Sequence, residues 1–215
     1  MSEPRRVVVV SGTGTGVGKT WMSVRLITAL RARGFSVAAR KPAQSFDESE
    51  LGCTDAELLA RATGEAPTAV CPEHRWYPVA MAPPMAATAL GRAAFSIEQL
   101  GAEVVGSWPP VDIGLVELAG GPYSPMAADG DGADLARLLR PSLYVLVADA
   151  GLGAINAVRS SLTAFAGERI VIVLNRYEHA DELHAANRAW LAARLTARVV
   201  TTIDELADAV LLLAN

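Results

Sequence analysis

Short apolar runs rich in β-branched residues alternate along the chain with longer stretches whose apolar positions recur every three or four residues. Residues 6–11 form the first run and enter a glycine-rich turn. Residues 19–33 follow, with Val24, Ile27 and Leu30 at helical spacing and Gly34 as a stop signal. Comparable apolar runs at 36–40, 112–118, 142–149, 169–174 and 197–202 read as strands. Helical patterns cover 55–62, 97–107, 133–140, 154–166, 179–195 and 204–213. Strands and helices taking turns imply right-handed crossovers, so the pattern predicts an α/β fold with one doubly wound, mostly parallel sheet and helices on both faces. Pro67, Pro72, Pro78, Pro83 and Pro84 interrupt the segment 64–84, which reads as a long surface loop. No linker, repeat or second domain is visible, so residues 1–215 read as one domain.

Composition agrees with that picture. A chain of 215 residues with 51% hydrophobic but only 6% aromatic residues is rich in Ala, Val and Leu, as suits buried parallel strands under alanine-rich helices. At this length roughly 70% of the unfolded surface can be buried, so no disulfide or structural metal is needed to make a core. Cys53 and Cys71 lie apart from each other and from any histidine cluster, which points to a reducing, cytoplasmic setting rather than a disulfide or zinc scaffold. The first apolar run is too short for a signal-peptide core or a membrane span. A net charge of −4 without any block of like charge argues against nucleic acid as a partner. The basic residues themselves are uneven: of 19, only Lys19 and Lys41 are lysines.

Lys19 ends the segment Ser11-Gly12-Thr13-Gly14-Thr15-Gly16-Val17-Gly18-Lys19-Thr20, which lies between a predicted strand and a predicted helix. In that context backbone amides and a helix N-terminus cradle phosphate oxygens, and glycines allow the close approach. The strict phosphate-loop pattern has glycine six positions before the lysine, where Thr13 stands; Gly12 lies one position earlier, so this loop is one residue longer. A dinucleotide fingerprint fails, because it requires glycine at Val17 or at Lys19. Lys19 would reach the β and γ phosphates, and the Thr20 hydroxyl would coordinate magnesium.

Ligands of open parallel sheets bind beyond the carboxyl ends of strands, so the residues just after each strand carry the next candidates. Lys41, before Pro42, ends the second run, and a compact ammonium there suits a phosphate or a developing anion. Glu117 closes the run Ile113-Gly114-Leu115-Val116, where nucleotide hydrolases place a magnesium-associated carboxylate; the alternative is a strand-end glutamate paired with an arginine. Asp55, after Thr54 and before Ala56-Glu57-Leu58-Leu59, reads on spacing alone as a helix cap or as a site carboxylate.

Taken in order, the variant loop, Lys41-Pro42 to Ser45, Thr54-Asp55-Ala56, Val116-Glu117 with Gly120-Gly121, and Leu152-Gly153-x-x-Asn156 resemble the dethiobiotin synthetases. The resemblance spans most of the chain and implies a phosphate-loop NTPase-type α/β domain that forms a homodimer. It implies a reaction in which diaminopelargonic acid takes up carbon dioxide (supplied as bicarbonate) as a carbamate. ATP then phosphorylates that carbamate, and the second amine displaces phosphate to close a ureido ring. A carbamate anion must meet a triphosphate, so magnesium and two lysines are required to screen the repulsion.

Position by position, the resemblance implies that Lys19 and Lys41 hold the phosphates and the carbamate, with Thr20, Asp55 and Glu117 around Mg2+. Gly14, Thr15, Gly16, Val17 and Gly18 complete the ATP loop. Ser45 and Thr15 lie on the substrate side. Gly153, Ala154 and Asn156 match a helix N-terminus that binds the substrate carboxylate from the neighbouring subunit. Asn175 matches an asparagine that reads the adenine edge, or else is a turn residue.

The chain also departs from the family pattern. Leu118 stands in the Glu-Gly-Ala-Gly-Gly segment, where a positive φ would be costly for leucine. Phe46 replaces a small residue beside the diamine pocket, and Thr201-Thr202-Ile203-Asp204 replaces a proline-containing nucleobase loop. These positions bear on two alternatives, a relative acting on another amine and a partitioning-type ATP switch. The switch proteins carry an additional lysine early in the loop, where Thr13 stands here, and a basic amphipathic tail that is missing. A cobyrinate-type amidotransferase would require a glutaminase domain, for which 215 residues leave no room.

Overall fold

Six parallel strands in the order β10-β9-β8-β1-β5-β2 form the central sheet of the computed structural model, which describes residues 4–47, 49 and 52–213. In chain order these strands are β1 (Arg6–Gly12), β2 (Val37–Arg40), β5 (Ile113–Glu117), β8 (Leu143–Asp149), β9 (Ile170–Asn175) and β10 (Arg198–Val200). Their register aligns Val10 with Glu117, Gly12 with Val147, and Asp149 with Asn175. All the carboxyl ends therefore lie along one edge. The chain passes from β5 on one side of β1 to β8 on the other, so the crevice of the doubly wound sheet opens above the end of β1.

Alternating side chains bury both faces. Val8 and Val10 point to the layer formed by α1 (Lys19–Ala32), α2 (Asp55–Thr63) and α9 (Ile203–Leu213). Val9 points the other way, into α5 (Ile97–Gly106) and α6 (Gly132–Leu139). Leu146, Ala148, Ile172 and Leu174 extend that second face under α7 (Ala154–Leu162) and α8 (Glu182–Arg194). None of the helices among the described residues is long and apolar enough to cross a membrane.

The strands and helices fall where the apolar periodicity places them, with ends shifted by a few residues. The helix expected from residue 179 begins at Glu182, because the Asp181 carboxylate caps it by accepting from the backbone amides of Leu183 and His184. The segment 64–84 differs more. Instead of a loop it holds α3 (Pro67–Val70), a 3-10 turn (Glu73–Arg75), the strand β4 (Trp76–Tyr77) and the start of α4 (Pro83–Ala89). Proline at the first helical positions starts α3 and α4 rather than breaking them, since its missing N–H has no partner there in any case. Long-range contacts then fasten the segment. Arg75 donates from Nε and Nη2 to the two carboxylate oxygens of Glu103, at 2.9 and 2.7 Å, and lies over the Phe95 ring. Trp76 donates its indole N–H to the Cys71 carbonyl. β4 pairs with the two-residue strand β3 (Gln44–Ser45), and a small antiparallel pair, β6 (Pro125–Ala127) with β7 (Gly130–Asp131), follows β5.

The end of β2 is held by Arg40, which is 3% exposed. Its guanidinium pairs with Glu65 at 2.7 Å, bonds the hydroxyl and carbonyl of Ser107 and stacks on Trp108. A buried arginine is tolerable here because its donors have partners and its face has a ring. The next residue, Lys41, is thereby delivered to the crevice.

Two outcomes are expected. A Cβ at Gly114 would lie 2.8 Å from Pro4 Cγ and 2.9 Å from Trp108 Cη2, so Gly114→Ala should overpack the sheet and cost about 1–3 kcal/mol, read as a lower urea midpoint at unchanged slope. Burial pushes the Cys71 thiol up to about 12 from 9.0. The unfolded chain then releases that proton first, so this contribution to stability is intact below pH 9 and is lost as pH rises toward 12. Wild type should accordingly lose stability relative to Cys71→Ala across that window in urea titrations.

Candidate functional site

The phosphate loop connects the end of β1 to α1 and is held from outside as well as by its own glycines. Gly18 has φ +92, and a Cβ there would stand 2.1 Å from the amide nitrogen of Asn175. Only glycine satisfies both constraints. Asn175, the last residue of β9, donates that nitrogen to the Val17 carbonyl at 2.9 Å, and its oxygen accepts the backbone N–H of Arg176. Arg176, at φ +56, bonds the Gly16 carbonyl at 2.9 Å and the Asp149 carboxylate at 2.7 Å. Val17 packs on the main core, and Gly14 turns its carbonyl to the Lys19 ammonium at 2.8 Å. The loop is thus held in shape by protein contacts alone.

Four charged groups and one hydroxyl converge beside it. Lys41, 2% exposed, places its ammonium 2.6 Å from Asp55 Oδ2 and 2.7 Å from Glu117 Oε1. The Thr20 hydroxyl lies 2.7 Å from Asp55 Oδ1 and 2.8 Å from Glu117 Oε1. That hydroxyl has one proton for two carboxylate oxygens. Glu117 is completely buried, and its second oxygen has no hydrogen-bond partner among the described residues. Four elements supply these groups: β2 through Lys41, α2 through Asp55, β5 through Glu117 and α1 through Lys19 and Thr20.

The electrostatics follow from burial and proximity. Burial, with the neighbouring Lys41 charge, brings the Lys19 ammonium down to about 8, against the opposing pull of Glu117 and Asp55. Burial alone would lower Lys41 too, but Glu117 and Asp55 outweigh it and hold that ammonium well above its ordinary value. Burial pushes the Asp55 carboxyl up. Lys41, by charge and hydrogen bond, together with Thr20 and Lys19, reverses this and holds it below the usual carboxylate range. Lys41 is therefore a fixed cation, while Lys19 carries the more easily lost proton.

The two readings open for residues 54 and 55 separate cleanly. Thr54 is the helix cap, its hydroxyl accepting from Glu57 N while the Glu57 carboxylate accepts from Thr54 N. Asp55 begins the helix and is left for the cluster. At Leu118 the feared strain is absent: positive φ falls on Gly120, at +65, and Leu118 is fully buried in the second core layer. The Phe46 ring sits edge-on against Trp76 rather than among the residues that line the cavity.

That cavity, of about 550 Å³, brings together Thr15, Gly16, Gly18, Lys19, Thr20, Lys41, Ser45 and Asp55. It also contains residues that the sequence pattern did not single out, among them Trp21, Gln44, Met81, Pro83 and Ser124. Gln44 had a local signal, being next to Ser45; Met81 and Pro83 belong to the segment read as a loop. A second cavity of about 550 Å³ lies against Gly18, Asn175, Tyr177, Thr201 and Thr202. Gly153, Ala154 and Asn156 are at the start of α7 as expected, with Gly153 as its left-handed cap, but they line neither cavity. Gly153 and Asn156 are exposed, and the adjacent Leu152 is 93% exposed.

Comparison with known proteins places this geometry. A family model described as an AAA domain matches residues 6–210. Among solved structures, the signal recognition particle receptor FtsY from Elizabethkingia anophelis superposes with a TM-score of 0.55 at 12% identity, covering 95% of this chain and 62% of that one. Chloroplast FtsY from Physcomitrella patens gives 0.55 at 16% identity, covering 97% and 65%. At such identities the likeness shows the fold alone, that of a phosphate-loop α/β protein. Sequence relatives are more specific. The ATP-dependent dethiobiotin synthetase BioD of Anaeromyxobacter dehalogenans is 38% identical over 90% of this chain and 86% of its own length. That of Mycobacterium avium is 35% identical, with 90% and 85% covered. The enzyme of the same name from Frankia casuarinae is 39% identical over 74% of this chain, and the match spans 65% of the Frankia protein. With identity of this order over nine-tenths of its length, the chain belongs to the dethiobiotin synthetase family.

Proposed function

We propose that the chain is an ATP-dependent dethiobiotin synthetase, converting diaminopelargonic acid, carbon dioxide and ATP into dethiobiotin, ADP and phosphate. The observation that carries the chemistry is the buried Lys41 ammonium between Asp55 and Glu117, opening on the same cavity as Lys19 and the phosphate loop. Lys19 releases the Gly14 carbonyl to meet the β and γ phosphates, while the loop from Gly14 to Gly18 offers its backbone amides to them. Lys41 faces the carbamate as the γ phosphoryl group approaches, lowering the repulsion between two anions where charge develops.

Magnesium fits the residues present. Thr20, Asp55 and Glu117 converge with hard oxygen donors, one carboxylate oxygen is buried without a partner among the described residues, and a single hydroxyl proton is shared between two carboxylates. When bound, the ion would neutralise charge on the β and γ phosphates; Thr20, Asp55 and Glu117 would hold it directly or through water. Thr15 and Ser45 line the same cavity and would face the diamine.

Gly153, Ala154 and Asn156 are outside the cavity, and the exposure of Gly153 and Asn156 supports a homodimer in which each subunit brings the α7 N-terminus to its neighbour's substrate carboxylate. The Asn175 amide is already bonded to the loop, so a role at the adenine edge would use its remaining hydrogen and lone pair. A partitioning-type switch and a different amine have no specific observation in their favour.

Purified protein given ATP, magnesium, bicarbonate and diaminopelargonic acid should form dethiobiotin; a folded protein that binds ATP and makes none would refute the activity. Lys41→Ala should lower turnover by about 10²–10³-fold and, by leaving Glu117 uncompensated, reduce stability by about 3–5 kcal/mol. Thermal unfolding with and without magnesium should show the cation restoring part of the loss. Asn156→Asp should weaken diamine binding by about ten-fold or more while leaving ATP binding unchanged, since like charge is added only at the carboxylate end. Equal losses for both ligands would misplace that site.

A further inference from the structure

Trp21, in the first turn of α1, takes no part in the phosphate and cation chemistry above, yet it is 52% exposed. A single exposed apolar side chain is ordinary in itself. One turn further along, the Arg25 guanidinium lies 4.7 Å from the centre of the indole, covering one face. A planar ligand can therefore stack only on the other.

The position of the ring is informative. Trp21 and Gly18 line both the cavity that holds Lys19 and Lys41 and the second cavity beside Asn175 and Tyr177. A ligand whose phosphates rest on Lys19 and whose remainder enters the second cavity must pass along the indole. Several polar groups around that second cavity already have protein partners. Asn175 bonds Val17 and Arg176. Thr201 and Thr202 direct their backbone amides to the Glu205 carboxylate at 2.9 and 3.2 Å, and the Thr202 hydroxyl accepts from Glu205 N. These contacts shape the cavity, and they leave the indole face as the broad surface still open to a planar ring.

We propose that Trp21, braced by Arg25, is the stacking surface for the nucleoside end of the bound nucleotide, so that the base is held mainly through its face. The proposal rests on the ATP-binding reading above and does not depend on which amine is carboxylated. Stacking on an aromatic side chain is worth about 1–3 kcal/mol per base, or roughly 5- to 150-fold in affinity.

The test is equilibrium binding of magnesium–ATP and of magnesium–tripolyphosphate, which lacks a nucleoside, to the full chain without diamine. Trp21→Ala should weaken ATP by about ten-fold or more and leave tripolyphosphate unchanged. Trp21→Phe should keep most of the ATP affinity. Equal loss for both ligands would show that Trp21 only supports the loop and α1, and would overturn the proposal, as would no loss for either. Loss of ATP binding together with an altered oligomeric state in sedimentation would assign the ring to a subunit contact and overturn it equally. If wild type binds ATP but forms no dethiobiotin, the stacking result stands and the synthetase reading falls; if wild type binds no ATP, both fall.

Discussion

Everything at the active edge depends on keeping the Lys41 charge out of water. An isolated ammonium at that depth would be strongly disfavoured. It is tolerable because Asp55 and Glu117 close on it from two other elements, and Lys19 offsets the second carboxylate. Two cations and two anions make a neutral group of four, so the site can exist before any ligand arrives. The same contacts tie β2, α2, β5 and α1 to one another at the point where the sheet changes direction. The charges that face the cavity and the clamp that joins these elements are here one set of atoms. Arg40 adds to this from behind, fixing the end of β2 so that its neighbour reaches the cluster.

Much of this could be read before any coordinate was known. The repeated strands are short, mostly apolar runs separated by helical spacing, and a glycine-rich loop ahead of Lys19-Thr20 has few other uses. Lys41 and Glu117 were visible because each ends an apolar run. Asp55 was harder, since an aspartate next to a threonine is an ordinary cap; only the Glu57 backbone and side chain, both engaged with Thr54, assign the cap and leave Asp55 for the cluster.

The parts that stayed hidden have a common cause, in that their order comes from partners distant in sequence. Residues 64–84 are dense in proline and carry no periodicity, so nothing local announced α3, β4 or α4. What orders them is Arg75 on Glu103 and Trp76 on Cys71. The strands β3 and β4 are two residues each, below the length at which alternation can be recognised. Trp21 was unreadable for another reason: in a helix whose apolar face is obvious, a single aromatic residue off that face shows its placement between two cavities only in three dimensions. Leu118 gave a warning that the backbone then removed by taking its left-handed turn two residues later, at Gly120.

The segment that replaces the expected loop divides the cavity by origin. Thr20, Asp55, Glu117 and both lysines come from the repeating strand–helix framework, whereas Met81 and Pro83 come from the fastened excursion between α2 and α5. The two parts are nevertheless joined at the cluster itself, because the Lys41 backbone N–H donates to the Val70 carbonyl of the excursion at 2.8 Å. A change in the excursion is therefore felt twice, in the shape of the cavity wall through Met81 and Pro83 and in the backbone that presents Lys41.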